Sequence, residues 1–64
     1  MDTTFGLALA AIAYAHAITE MVAADAAADR FRDAGMYDAE RSKRDRASYW
    51  TRQARTIRLA YFAH

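Results

Sequence analysis

The sequence predicts an all-α protein: a two-helix antiparallel hairpin that dimerises into a four-helix arrangement. Three observations carry this expectation. The chain has no proline, only two glycines (Gly6 and Gly35), and a surplus of alanine and arginine, which are among the best helix formers. Apolar residues in its second half recur at alternating spacings of four and three, the rhythm of a helix with one packed face. With only 64 residues and no cysteine, it buries about 60% of its unfolded surface as a lone chain. Disulfides and thiolate metal sites are excluded, so association is the remaining way to complete a core.

The first helix is expected from about 3 to 34. Asp2, Thr3 or Thr4 can cap its start by accepting an orphan backbone N–H. Its two halves differ. Over 20–34, Asp25, Asp29, Arg32 and Asp33 cluster while Ala24, Ala27, Ala28 and Phe31 lie opposite. The first half is apolar nearly all round. Phe5, Leu9, Ile12 and His16 make one stripe, and Leu7, Ala11, Tyr14, Ile18 and Met21 make another. A hairpin partner covers one stripe and a second molecule is expected on the other. The many alanines allow neighbouring backbones to approach closely.

Gly35 is the expected hinge, because glycine enters the left-handed conformation that ends a helix without steric cost. The second helix is expected from about 37 to 62, with Asp38 a helper near its start. Lys43, Ala47, Trp50, Ala54, Ile57 and Tyr61 form its seam, with Lys43 snorkelling at the edge. Trp50, Ile57 and Tyr61 are therefore assigned to the core, with Phe31 and the two stripes of the first helix. Tyr37, beside the hinge, is expected to close that end of the hairpin. Charge supports antiparallel packing. Residues 1–35 carry five acids against Arg30 and Arg32, a balance of −3, and residues 36–64 carry seven bases against Asp38, Glu40 and Asp45, a balance of +4.

The chemistry-bearing patterns are few. No nucleophile–base pair and no glycine-rich phosphate loop is present; Ser42 and Ser48 have no histidine at helical spacing. So short a chain hardly forms a concave pocket, and no enzymatic activity is expected. His16 and Glu20, four apart, share a helix face and could contribute a two-His, two-Glu metal site across a two-fold axis, but with no other ligands in sight a local hydrogen bond or an exposed pair at the dimer edge is the better account. No metal or other cofactor is expected. The uncharged run from Thr3 to Thr19 is shorter and more alanine-rich than a membrane span, so a membrane-associated helical peptide ranks low. Asp2 stands where a secretory leader would be positive, and no cleavage pattern follows, so a cytoplasmic location is expected.

Binding of another macromolecule is what remains. Arg41, Lys43, Arg44, Arg46, Arg52, Arg55 and Arg58 could contact phosphates, which makes a small basic nucleic-acid-binding protein the main rival reading. Asp38, Glu40 and Asp45 interrupt that run, and no helix-turn-helix or zipper with a basic region is visible. A protein-binding stripe fits better. Leu59 and Phe62 stand off the seam, in line with Arg52 and Arg55 and flanked by Tyr49 and Arg58. Arginine and aromatics make interface hot spots. The competing explanation is that this stripe packs on a second protomer.

Two resemblances accompany these patterns. The segment from Phe31 through Gly35 and Tyr37 to Glu40, followed by Ala47, resembles the turn of a tetratricopeptide-type hairpin. Ala39 stands one position early, and Arg44 occupies a place where that family has an aromatic. One such unit makes no solenoid, so the resemblance implies a hairpin only. The alanine-rich first helix, the Ala34-Gly35 hinge and the arginine/aromatic second helix (Tyr49, Trp50, Arg52, Arg55, Arg58, Tyr61, Phe62) are similar to small early proteins of temperate bacteriophages, in particular the quorum-sensing anti-activators of Pseudomonas phages. That resemblance implies a helical homodimer that binds and inhibits host proteins, including a LuxR-type transcription regulator and a type IV pilus assembly ATPase. It spans the whole chain in layout, and no motif transfers functional residues.

Overall fold

A computed structural model describes the backbone of residues 3–62 and the side chains of residues 5–62. The expected caps Asp2, Thr3 and Thr4 lie outside the described side chains. The described residues contain two helices and no strand: α1, Thr3–Asp33, and α2, Tyr37–Tyr61. The helices lie side by side as a hairpin, a rod of 51 × 15 × 14 Å. At about 1.5 Å per residue, α1 alone accounts for most of that length.

The reversal between the helices uses the backbone groups that a helix end leaves orphaned. Gly35 has φ +76°, the left-handed region. The Gly35 N–H donates to the Arg32 carbonyl at 3.0 Å, and the Met36 N–H donates to the Phe31 carbonyl at 2.8 Å. This nested pair is the Schellman closure, which needs a left-handed residue where Gly35 stands. The next helix starts at once, with Glu40 N–H donating to the Met36 carbonyl at 3.0 Å. Met36 takes the cap position with no side-chain cap bond, while Asp38 and Glu40 place negative charge in the first turn, at the positive end of the helix dipole. Tyr37 does not close this end. It is 68% exposed and borders a shallow depression with Gly35, Met36, Asp38 and Ala39, because the reversal is closed by backbone bonds rather than by its ring.

The interior is made of alanine. Among the described residues, those buried are Ala10, Ala17, Ala24 and Ala28 on α1 and Ala47 and Ala54 on α2, and no larger side chain is fully buried. Ala10, Ala17 and Ala24 are seven residues apart, as are Ala47 and Ala54. A small residue at every second turn on both helices lets the backbones come together, and the larger side chains then flank the contact. Tyr14, Ile18, Met21 and Phe31 on α1, and Trp50 and Ile57 on α2, are half-buried along its two edges. Tyr61 of the expected seam stays exposed, as do Phe5, Leu9 and Ile12.

The consequence is surplus surface. The chain exposes 4850 Å², whereas a compact monomer of this mass would expose about 4,100 Å². α1 is also continuous past Glu20, and its Phe5–Asp33 stretch, with a window of mean hydropathy 1.6, is long and apolar enough to cross a membrane by length and composition.

Candidate protein-binding surface

Near the hinge, the helices are joined by charge. Asp25 and Asp29 stand one turn apart on α1, and Arg44 reaches both from α2. Its Nη2 donates to Asp29 Oδ1 at 2.9 Å and to Glu40 Oε2 at 3.2 Å, and its Nη1 lies 3.6 Å from Asp25 Oδ1. Arg32 adds ion pairs at 3.6 Å to Asp29 and Asp33. The hydrogen bond from Arg44, with the nearby positive charges of Arg32 and Arg44, holds the Asp29 carboxyl below its ordinary range against a smaller opposing effect of desolvation. The same bond, helped by Glu40, raises the already high value of Arg44. Sequence reasoning foresaw the attraction of an acidic and a basic half but did not single out Arg44. The signal was there, in one arginine placed opposite two aspartates at helical spacing.

Away from the hinge, α1 has no charged residue from Thr3 to Thr19, and α2 has Arg46, Arg52, Arg55 and Arg58 with no acid from 46 to 62. Two grooves run along the contact here. One is lined on the α1 side by Tyr14, Ile18 and Met21 and on the α2 side by Thr51, Arg55 and Arg58, with Ala54 at its floor, and has a volume of about 280 Å³. The Thr51 hydroxyl is engaged in its own helix, donating to the Ala47 carbonyl at 2.8 Å. The Phe62 ring closes on Tyr14 edge to face, 6.4 Å between centroids. The other groove, on the opposite side, is lined by Gly6, Leu9, Ala13, Ile57 and Tyr61 and has no charged residue. His16 borders that side with its ring edge-on to Trp50 at 5.2 Å, and Trp50 also meets Tyr49 at 5.1 Å.

The expected partner stripe is therefore divided. Arg55 and Arg58 line the first groove, and Phe62 turns onto α1 rather than standing wholly apart from it. Arg52 and Leu59 are exposed, and Tyr49 leans on Trp50. Arg52, Arg55 and Arg58 take part in no ion pair among the described residues. Of the expected dimer and core residues, Phe5 (63% exposed), Leu9 (52%) and Ile12 (67%) form an outward stripe on α1. The helix contact takes the alanine row instead, because alanines permit a closer approach than that stripe would. His16 and Glu20 acquire no third ligand, and no group of three potential metal ligands occurs among the described residues.

The arrangement offers two grooves, exposed apolar side chains and positive charge. No family model, curated protein or solved structure matches this chain.

Proposed function

We propose that the chain is a non-catalytic protein-binding module, a homodimer of helical hairpins that inhibits a host regulatory protein in the cytoplasm. The observation that carries this reading is the mismatch between an alanine-only interior and the large side chains left outside. The surplus over a compact monomer is roughly 700 Å², close to the approximately 800 Å² that each partner contributes to a standard interface. Phe5, Leu7, Leu9, Ile12 and Leu59 stand in that exposed surface, and exposed apolar groups bordered by charge mark association sites. The two grooves divide the work: the uncharged side with Leu9 and Ile12 suits a second copy, and the arginine-lined side suits a different protein. The similarity to phage anti-activators supplies the class of target, a transcription regulator of the LuxR type or a pilus assembly ATPase.

Light scattering after size exclusion tests the dimer, and capture from host lysate on the immobilised full chain tests the module. A dimer mass at low micromolar concentration and retention of one regulatory protein are expected. A folded monomer that retains nothing would overturn the reading.

The length and hydropathy of α1 favour a second reading, a membrane-associated hairpin. Crossing a bilayer would strip α1 from α2 and expose the Asp25 and Asp29 pairs with Arg44 to competition with lipid. Flotation with neutral liposomes separates the two, since the protein-binding module stays in the dense fraction.

A further inference from the structure

We infer that the arginine-lined groove receives a third helix from the partner, and that this helix is acidic along one flank: apolar residues at heptad spacing face α1, and a row of Glu or Asp beside them faces Arg55 and Arg58. The inference rests on the protein-binding reading and gives its partner a chemistry.

The case begins with the spacing of the groove walls. On α1, Tyr14, Ile18 and Met21 stand at intervals of four and three. On α2, Thr51, Arg55 and Arg58 repeat the same intervals. The contact between the two helices already uses other rows, Ala10–Ala17–Ala24 and Ala47–Ala54. Each helix thus carries a second row at coiled-coil spacing, and the two second rows border one groove. A pair of antiparallel helices with such rows is the acceptor for a third helix, whose side chains enter at every three or four residues. An extended strand, with its period of two, would not follow either wall.

The chemistry of the walls differs, and this sets the occupant's polarity. The α1 wall is aliphatic and aromatic. The α2 wall has two guanidinium groups about one turn apart, with no ion-pair partner among the described residues and no acid on α2 beyond Asp45. Carboxylates one turn apart on an incoming helix would meet them with charge-assisted, forked hydrogen bonds. Thr51 offers no competing hydroxyl, because it is engaged with Ala47. Towards the hinge the rows continue into Asp25 on α1 and Arg44 on α2, which satisfy each other. An acidic helix gains nothing there, so its acidic flank belongs over Arg55 and Arg58.

The test is fluorescence anisotropy with the full chain and two labelled helical peptides of about three heptads, Leu at a and d. One carries Glu at every e position and the other carries Lys. The Glu peptide is expected to bind, with the Lys peptide about tenfold weaker or worse, and the preference should shrink between about 50 and 500 mM salt. The double variant Arg55→Glu/Arg58→Glu should reverse the preference, and Arg55→Gln/Arg58→Gln should abolish it with helicity unchanged by circular dichroism. Equal binding of both peptides, or of neither, overturns the inference. In that case capture of a regulatory protein by the same immobilised chain would still uphold the broader module reading, and failure of that capture would overturn both. A fall in oligomer mass in the Gln variant would give the groove to a second copy. Arginine-dependent binding to phosphatidylglycerol vesicles without peptide binding would give it to an anionic lipid surface. Either result overturns the inference.

Discussion

The two halves of the hairpin share one backbone geometry and one alanine contact, yet they are finished differently. The hinge half is tied across its helices: Gly35 closes the backbone bonds, and Arg44 gathers Asp25, Asp29 and Glu40. In the terminal half α1 is uncharged to Thr19 and α2 carries arginines with no acid from 46 to 62. There the large apolar side chains Leu7, Leu9, Ile12 and Leu59 are exposed. The difference teaches where fold and function separate along a short chain. Cross-helix charge pairs hold the hinge half together, and the proposed binding surface lies in the half whose described residues form none.

The comparison breaks most severely at the shared alanine contact. Ala28, in the hinge half, is 0% exposed and Ala17, in the terminal half, is 1% exposed. Leucine at either position must push the helices apart, at a cost of about 1–3 kcal/mol. Ala28→Leu should be the costlier, because the Arg44 bridges and the tight turn resist spreading, whereas the terminal half can splay. Urea unfolding followed by circular dichroism reads the order. Equal losses would mean that the two halves are equally restrained.

A different kind of break comes at the outward stripe. Ile12 is mostly exposed in the single hairpin, so Ile12→Asp should leave it helical. If the second copy sits on that stripe, the same change places an unpaired charge in the interface and the mass by light scattering falls to that of one chain. Ile18→Asp, on the half-buried groove wall, should instead lower helicity as well. A variant Ile12→Asp that stays dimeric moves the dimer seam elsewhere.

What the sequence disclosed follows the same division. The two helices, the glycine turn and the α2 seam through Ala47, Trp50, Ala54 and Ile57 were legible because each rests on local rules: propensity, left-handed glycine and heptad spacing. The choice among the apolar rows of α1 was not. Large residues at 5, 9 and 12 make a more conspicuous row than alanines at 10, 17 and 24, and hydrophobicity alone gives them the core. The deciding quantity is backbone approach, which small residues favour and which shows only when Ala47 and Ala54 are seen to repeat the same interval. Phe62 lies off the α2 seam in register, and its ring contact with Tyr14 depends on how the helix edges meet, which no single-helix pattern encodes.

At the turn the expected effect is smaller. A Cβ on Gly35 meets no atom within 4 Å, so its substitution is a test of conformation alone. Gly35→Ala must hold φ near +76°, at a cost of about 1 kcal/mol. Gly35→Asn should cost less, since asparagine visits that region more readily. The melting temperature under identical buffer reads the ranking, and an alanine variant as stable as the parent would mean that the chain turns in another way.

The smallest effect expected is the one that isolates the charged half. Asp29 and Arg44 are both substantially solvent-exposed, so water and salt screen their interaction. Its signature is therefore pH dependence rather than size. The bond from Arg44 holds the folded-state value of Asp29 below the ordinary 3.8. The group thus contributes its full stabilisation above the unfolded value, and loses it as pH falls through the depressed folded value. Between pH 7 and 5 the melting temperature should be flat with respect to this pair; the decline should begin as pH nears the ordinary carboxylate value and run on below it, through the depressed folded value. Asp29→Asn removes the titrating group while keeping an acceptor for Arg44. It should start slightly less stable at neutral pH and show a shallower acid decline than the parent. High salt should narrow the gap at pH 7. An Asn variant with the parent's full acid decline would assign the effect to other carboxylates, and the hinge half would then owe its cohesion to the alanine contact and the turn rather than to Arg44.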